Sequence, residues 1–358
     1  MDPRYFVGID ENGLGPRLGP LIVTSILART SAAGEKVAGA RPKGRLRARL
    51  GDSKALVSYG DSALGEAWAR ALLARRGQPA PSSVDDLVFA LTLDPREELR
   101  APCPSDHAEQ CWGTGGEGAG LVAEGKLVAQ VGRDLERLAV AGVEIVGVRV
   151  LVACAKRLNA ETARGKSRFE VDLHAMERLV LRAREDAGID VFATCGKVGG
   201  FDRYGDRFGP LAGRLHTALD EGRAKSTYLM PGVGTISFVR DADATNMLVC
   251  LASLVGKWMR DVLMNRIVHY HRMHVPDVPD ASGYHDPVTT RFIAATALSR
   301  KRRNVPDECF ERTSLERERE LLTSSERPTT PTEKAQAPRP KKQAPKSPKK
   351  QAPPSATP

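Results

Sequence analysis

The chain has 358 residues, 41% of them apolar, enough to bury a sizeable core in one or two domains. Its formal charge is +10, but eight Lys or Arg stand against Glu326 and Glu333 between Thr323 and Pro358, so +6 lies there and +4 on the rest. A mildly basic body admits nucleic-acid contact without demanding it, and the absence of a basic-then-apolar leader or of a run near roughly 18 apolar residues excludes a membrane span and implies a soluble, cytoplasmic protein.

Tyr5, Phe6, Val7 and Ile9 form an apolar run short enough for a strand, and Leu21 to Leu27 form a second, giving a hairpin. Asp10 and Glu11 sit where the first strand enters the connecting turn. Neighbouring carboxylates repel unless a cation or a proton lies between them, and hard oxygen donors at that density suit Mg²⁺ or Mn²⁺. Gly13, Gly15 and Gly19 let a ligand approach the backbone N–H groups. On these residues alone, an ordinary turn with solvated acids remains open.

Farther along, Ala63 to Arg75 reads as a helix and Pro102 to Gly120 as an inserted Pro/Gly/Ser-rich loop. In that loop Cys103 and Cys111 flank His107, a conceivable zinc clip without a second Cys pair, and Gly113 to Gly120 lacks the Lys-Ser/Thr end of a phosphate loop. Gly120 to Ala141 and Val171 to Ala187 read as helices, Val143 to Val152 and Val191 to Thr194 as strands. The six scattered cysteines read as reduced thiols. Ile236 to Arg240 is a strand, followed by Asp241 and Asp243, and an apolar-rich helix begins near Met247. On that helix Ser253, Lys257 and Asp261 recur every four residues and share one face, which presents either a functional row or a solvated side. His269, His271 and His274 read as a surface helix end. Arg300 to Arg303 form a basic cluster that either extends a nucleic-acid surface or is simply solvated. The Pro/Lys-rich stretch from Thr323 cannot bury enough apolar surface to fold and reads as a disordered basic tail.

Alternating strands and helices imply an α/β fold with a central sheet. Four motifs, in order, resemble those of the type 2 ribonuclease H family, ribonuclease HII. Gly8 to Pro20 follows the family's G-I-D-E-x-G-R-G-P-x-x-G-P except at Leu14, which stands in place of Arg. Asp52-Ser53-Lys54 matches D-S-K. Asp243 in Ala242-Asp243-Ala244 is followed eighteen residues later by Asp261, at the end of a segment like A-A-S-I-x-A-K-V-x-R-D, and Gly283-Tyr284-His285-Asp286-Pro287-Val288-Thr289 resembles G-Y-P-x-D-P-x-T.

The resemblance, over about Tyr5 to Leu298, implies a ribonuclease H-like fold: a central mixed sheet flanked by helices over residues 1–300, a short helical and basic extension at 301–322, and the disordered tail at 323–358. It implies an endonuclease that cuts the RNA strand of RNA–DNA hybrids, or duplex DNA 5′ to an embedded ribonucleotide, using two Mg²⁺ or Mn²⁺ ions. Asp10, Glu11 and Asp243 would be the catalytic and metal-holding acids. Lys54, Ser253 and Lys257 would meet the nucleic acid, and Gly13, Leu14, Gly15 and Tyr284 would read the 2′-hydroxyl at the junction. A monomer is expected. The family's third carboxylate falls at the end of a strand, and the motif places Cys195 there; Asp202 could swing in from the following loop. A thiol is a poor Mg²⁺ ligand, so the alternative is a catalytically impaired homologue that binds hybrids or junctions.

Overall fold

A computed structural model describes residues 3–104, 109–114 and 120–325. His107 and the basic stretch from 326 onward lie outside the described residues, so neither the zinc clip nor the disordered tail is addressed by it.

The expected mixed sheet flanked by helices is present. Seven strands run in the order β3-β2-β1-β4-β7-β6-β5. β1 (Arg4–Asn12) and β2 (Leu21–Thr30) are the antiparallel hairpin read from the sequence, with β3 (Val143–Ala153) antiparallel on the outer side of β2. On the other side β4 (Val191–Gly196) lies parallel to β1, and β7 (Gly234–Val239) parallel to β4. β5 (Thr217–Glu221) and β6 (Lys225–Met230) complete the antiparallel edge.

Neither β5 nor β6 is among the strands read from the sequence; every residue of β5 is exposed, so no apolar alternation marks it.

The main helices are α1 (Ala63–Arg75), α2 (Gly125–Val140), α3 (Ala155–Ala163), α4 (Arg168–Ala187), α5 (Met247–Arg272), α6 (Pro287–Arg302) and α7 (Leu315–Ser325). Two starts differ from expectation for local reasons. α4 begins at Arg168 because Ser167 and Glu170 form a capping box. α2 begins only at Gly125, since the Val122 and Ala123 N–H groups are held by the buried Glu66 carboxylate at 2.9 and 3.0 Å.

Period-two alternation assigns the two sheet faces. Val7 and Ile9 of β1 join Val191, Ala193 and Cys195 of β4 in the core beneath α4, while Phe6 packs into the core on the α5 side. Gly8 is what lets α5 lie on β1: a Cβ there would stand 2.3 Å from the Leu248 carbonyl carbon.

The end of α5 departs from the surface reading. His271 is buried, its Nε2 is 3.0 Å from Gln110 Oε1, and its ring meets Phe292 and Phe310 edge-on. Burial first, and the nearby Arg300 charge second, push its pKa down to about 3. His269 and His274 are half-buried. Arg300 leaves the basic cluster as well: it is buried with its guanidinium 3.8 Å over the Phe310 ring, while Lys301 to Arg303 are exposed. The described cysteines form no disulfide, as expected for reduced thiols. No helix of the described residues is long and apolar enough to cross a membrane.

Candidate active site

The ends of β1, β4 and β7 meet one face of α5 around a cavity of about 680 Å³. It gathers the residues singled out in the sequence from five separate places in the chain: Asp10, Glu11, Gly13, Leu14 and Gly15 from β1 and its turn; Ser53 and Lys54; Asp243; Ser253, Lys257 and Asp261 from α5; and Tyr284 from the loop before α6.

Each is positioned by local chemistry. Asp10 and Glu11 continue β1 and, by alternation, leave it on opposite faces. Asp52 caps the single turn Ser53–Leu56 by accepting the Lys54 N–H at 2.9 Å, which sets Lys54 Nζ 3.8 Å from Asp243 Oδ2. Asp243 lies on the turn Ala242–Thr245, entered through Asp241 in a left-handed conformation (φ 53°) that carries the chain sharply off β7. On α5 the row of hydroxyl, ammonium and carboxylate is not a solvated side. Ser253 and Asp261 are buried, Ser253 shares a 2.9 Å hydrogen bond with Ser53, and Lys257 Nζ is 3.2 Å from Asp261 Oδ2.

The acids are strained as a group. Burial first, then the charges of Glu11 and Asp243, hold the Asp10 carboxyl well above its usual range, with the Ser253 hydroxyl opposing in part. Glu11 is pushed up to about 7 by burial and by Asp243, with its own backbone N–H and Lys54 opposing. Oxygen donors that resist sharing a site without a counter-charge fit a hard divalent cation. In the placed conformations, no three His, Cys, Asp or Glu side chains among the described residues close into a metal cage.

The third-acid position needs correction. In the β1–β4 register Cys195 pairs with Ile9, and both side chains lie in the core on the α4 side. The Cys195 thiol is fully buried there, and burial raises its pKa. The next residue, Gly196, faces the acids: a Cβ at Gly196 would lie 3.0 Å from Asp10 Oδ1 and 3.1 Å from Glu11 Oε2. The residue of β4 that faces the acids is therefore Gly196, which offers no side chain. Asp202 does not swing in either, since it pairs with Lys197 at 3.0 Å.

Sequence reading missed Arg312. Buried behind the glycine turn, it donates from Nη1 to the Gly13 carbonyl at 2.6 Å and from Nε and Nη2 to the Gly19 carbonyl at 2.9 and 2.7 Å. Burial, with Arg260 and Arg168 nearby, lowers its pKa to about 9. No local motif announces it, because its partners are backbone atoms some 300 positions away. Leu14, in the Arg place of the motif, is instead half-buried against the core. Gly13 and Gly19 do adopt positive φ (86° and 79°), whereas Gly15 does not. Arg260 was likewise missed: it lines the cavity with its guanidinium 4.6 Å over the Tyr284 ring.

No protein-family model matches this sequence, and no curated protein matches it. Among solved structures, the chain is similar to the ribonuclease HII of Archaeoglobus fulgidus, solved with PCNA, at 14% identity and a TM-score of 0.38 over 87% of this chain and 98% of that one. It is similar to Bst ribonuclease HIII in complex with Mn²⁺ at 9% identity and a TM-score of 0.41, over 90% of this chain and 70% of that one. The ribonuclease H2 of Pyrococcus horikoshii OT3 gives 14% identity and a TM-score of 0.37 over 89% and 98%.

Proposed function

We propose that this cavity hydrolyses phosphodiester bonds in the RNA strand of RNA–DNA hybrids, or 5′ to ribonucleotides embedded in duplex DNA, with Asp10, Glu11 and Asp243 holding divalent cations. The observation that carries this reading is the convergence of those three acids, from β1 and from the turn after β7, in one cavity also lined by Lys54, Lys257, Arg260 and Tyr284. A protein that only binds nucleic acid has no physical need for buried carboxylates that repel one another.

Mg²⁺ or Mn²⁺ bound there would supply the Lewis acidity that generates hydroxide from water and neutralises the departing oxygen. Ser253 would hold Asp10 in its ionised form. The Lys54 side chain, 82% exposed, and Lys257 at the base of the cavity would draw in the phosphate backbone without reading sequence. Because Arg312 already occupies the Gly13 and Gly19 carbonyls, recognition of the 2′-hydroxyl by this turn would fall to its N–H groups and to Tyr284.

A second reading, a hybrid-binding protein with a disabled site, is favoured by Gly196, which offers no side chain at the third-acid place. Incubating a labelled RNA–DNA hybrid with the protein in Mg²⁺, Mn²⁺ or chelator separates the two. Cleavage that needs the cation and vanishes in Asp10→Asn supports the nuclease; tight, salt-sensitive binding unchanged by chelator and without cleavage supports the binding protein.

A further inference from the structure

On the α4 side of the sheet, within electrostatic reach of Glu11 and Asp10, lies an acid from another element. Asp172 stands in the second turn of α4, which packs against both β1 and β4. Its side chain has no exposure, and neither carboxylate oxygen has a hydrogen-bond partner. Buried polar atoms are nearly always paired, and an orphaned carboxylate is what a metal ligand or a trapped neutral acid looks like.

Its surroundings favour the first. The charges that act on Asp172 are Glu11, then Asp10, with no cation among them. Asp172 is also the foremost charge acting on the buried Cys195 thiol, whose side chain lies in the core on the α4 side of β4. Glu11 leaves β1 toward the α4 side, so the two carboxylates belong to the same side of the sheet.

We propose that Asp172 is a further carboxylate ligand for the cation held by Asp10 and Glu11, supplied from α4 beneath Glu11. This inference rests on the metal-dependent reading of the cavity. Asp10, Glu11 and Asp172 do not form a closed cage in the placed conformations, so ligation requires side-chain rotation toward a shared cation.

The test is a Mn²⁺ titration of the full chain, followed by the electron paramagnetic resonance signal of free Mn²⁺, for the wild type and for Asp10→Asn and Asp172→Asn. Asp172→Asn keeps shape and removes charge. We expect it to weaken Mn²⁺ binding at least tenfold and Asp10→Asn to abolish it. An Asp172→Asn protein that binds within twofold of wild type overturns the inference and makes Asp172 a neutral structural acid, while leaving the reading of the cavity intact. If Asp10→Asn also binds like wild type, the cavity reading itself fails. Should the amide variant not fold, Asp172→Glu moves the carboxylate by one methylene and carries the same test: tenfold weaker Mn²⁺ binding supports the inference, unchanged binding overturns it.

Discussion

At the residue scale, the difference between Cys195 and Gly196 decides what can be read from sequence. Motif spacing locates the end of a strand but not the parity of its side chains, and an offset of one residue moves a side chain to the opposite face. Asp10, Glu11, Asp243, Lys257 and Tyr284 were legible because contiguous motifs carry them. The orphaned Asp172 was not singled out, because it lies on a helix whose sequence shows only ordinary amphipathic spacing. Cys195→Asp would therefore not restore a site; it would place a charge in the core beneath α4 and destabilise the fold by about 3 kcal/mol or more, read as a lowered denaturation midpoint. Gly196→Asp places its carboxylate beside Asp10 and Glu11. Without metal it is expected to lower the melting temperature, and with saturating Mn²⁺ to recover it, in parallel thermal melts. The raised Glu11 gives a pH dependence of definite sign. Its folded pKa of about 7 lies above the unfolded 4.5, so the folded state binds this proton more tightly. Metal-free protein should lose stability as pH rises from 4.5 through 7, and chemical denaturation across that range in chelator checks the slope.

At the scale of elements, the site depends on a strap that sequence patterns did not reveal. The Arg312 N–H donates to the Arg17 carbonyl at 2.9 Å while its guanidinium holds Gly13 and Gly19. Farther along, Glu318 of α7 forms a buried pair with Arg168 at 2.8 Å. The region read as a basic extension is thus packed against the glycine turn by single residues with distant partners, which leave no periodic trace. Arg312→Met removes every one of those guanidinium bonds. Orphaning two buried carbonyls should cost on the order of 2–4 kcal/mol, visible in urea unfolding, and should lower cleavage more than substrate binding, since the turn that follows Asp10 and Glu11 loses its backing. Helices α1, α2, α4 and α5 and strands β1–β4 and β7 were legible because their burial follows periods of 3.6 and 2; α3 and β6 were not among the elements read, nor was the exposed β5, which carries no such period.

At the scale of the molecule, charge distribution sets how nucleic acid would be held. The cavity is lined by Lys54, Lys257 and Arg260, whereas eight further cations lie between Arg327 and Lys350. Removing residues 326–358 should leave cleavage chemistry intact, weaken hybrid binding at low salt, and flatten the dependence of log K on log salt by up to about 7; a filter-binding salt series measures it. The most direct test of the central claim uses a duplex with one embedded ribonucleotide and a continuous RNA–DNA hybrid, each incubated in Mg²⁺ and in Mn²⁺ with the wild type, Asp10→Asn and Asp243→Asn. Cation-dependent cutting of at least one substrate by the wild type, lost by a hundredfold or more in both variants, is the expected result. Equal cutting by the variants, or no cutting by the wild type in either metal, would contradict a nuclease built on these acids.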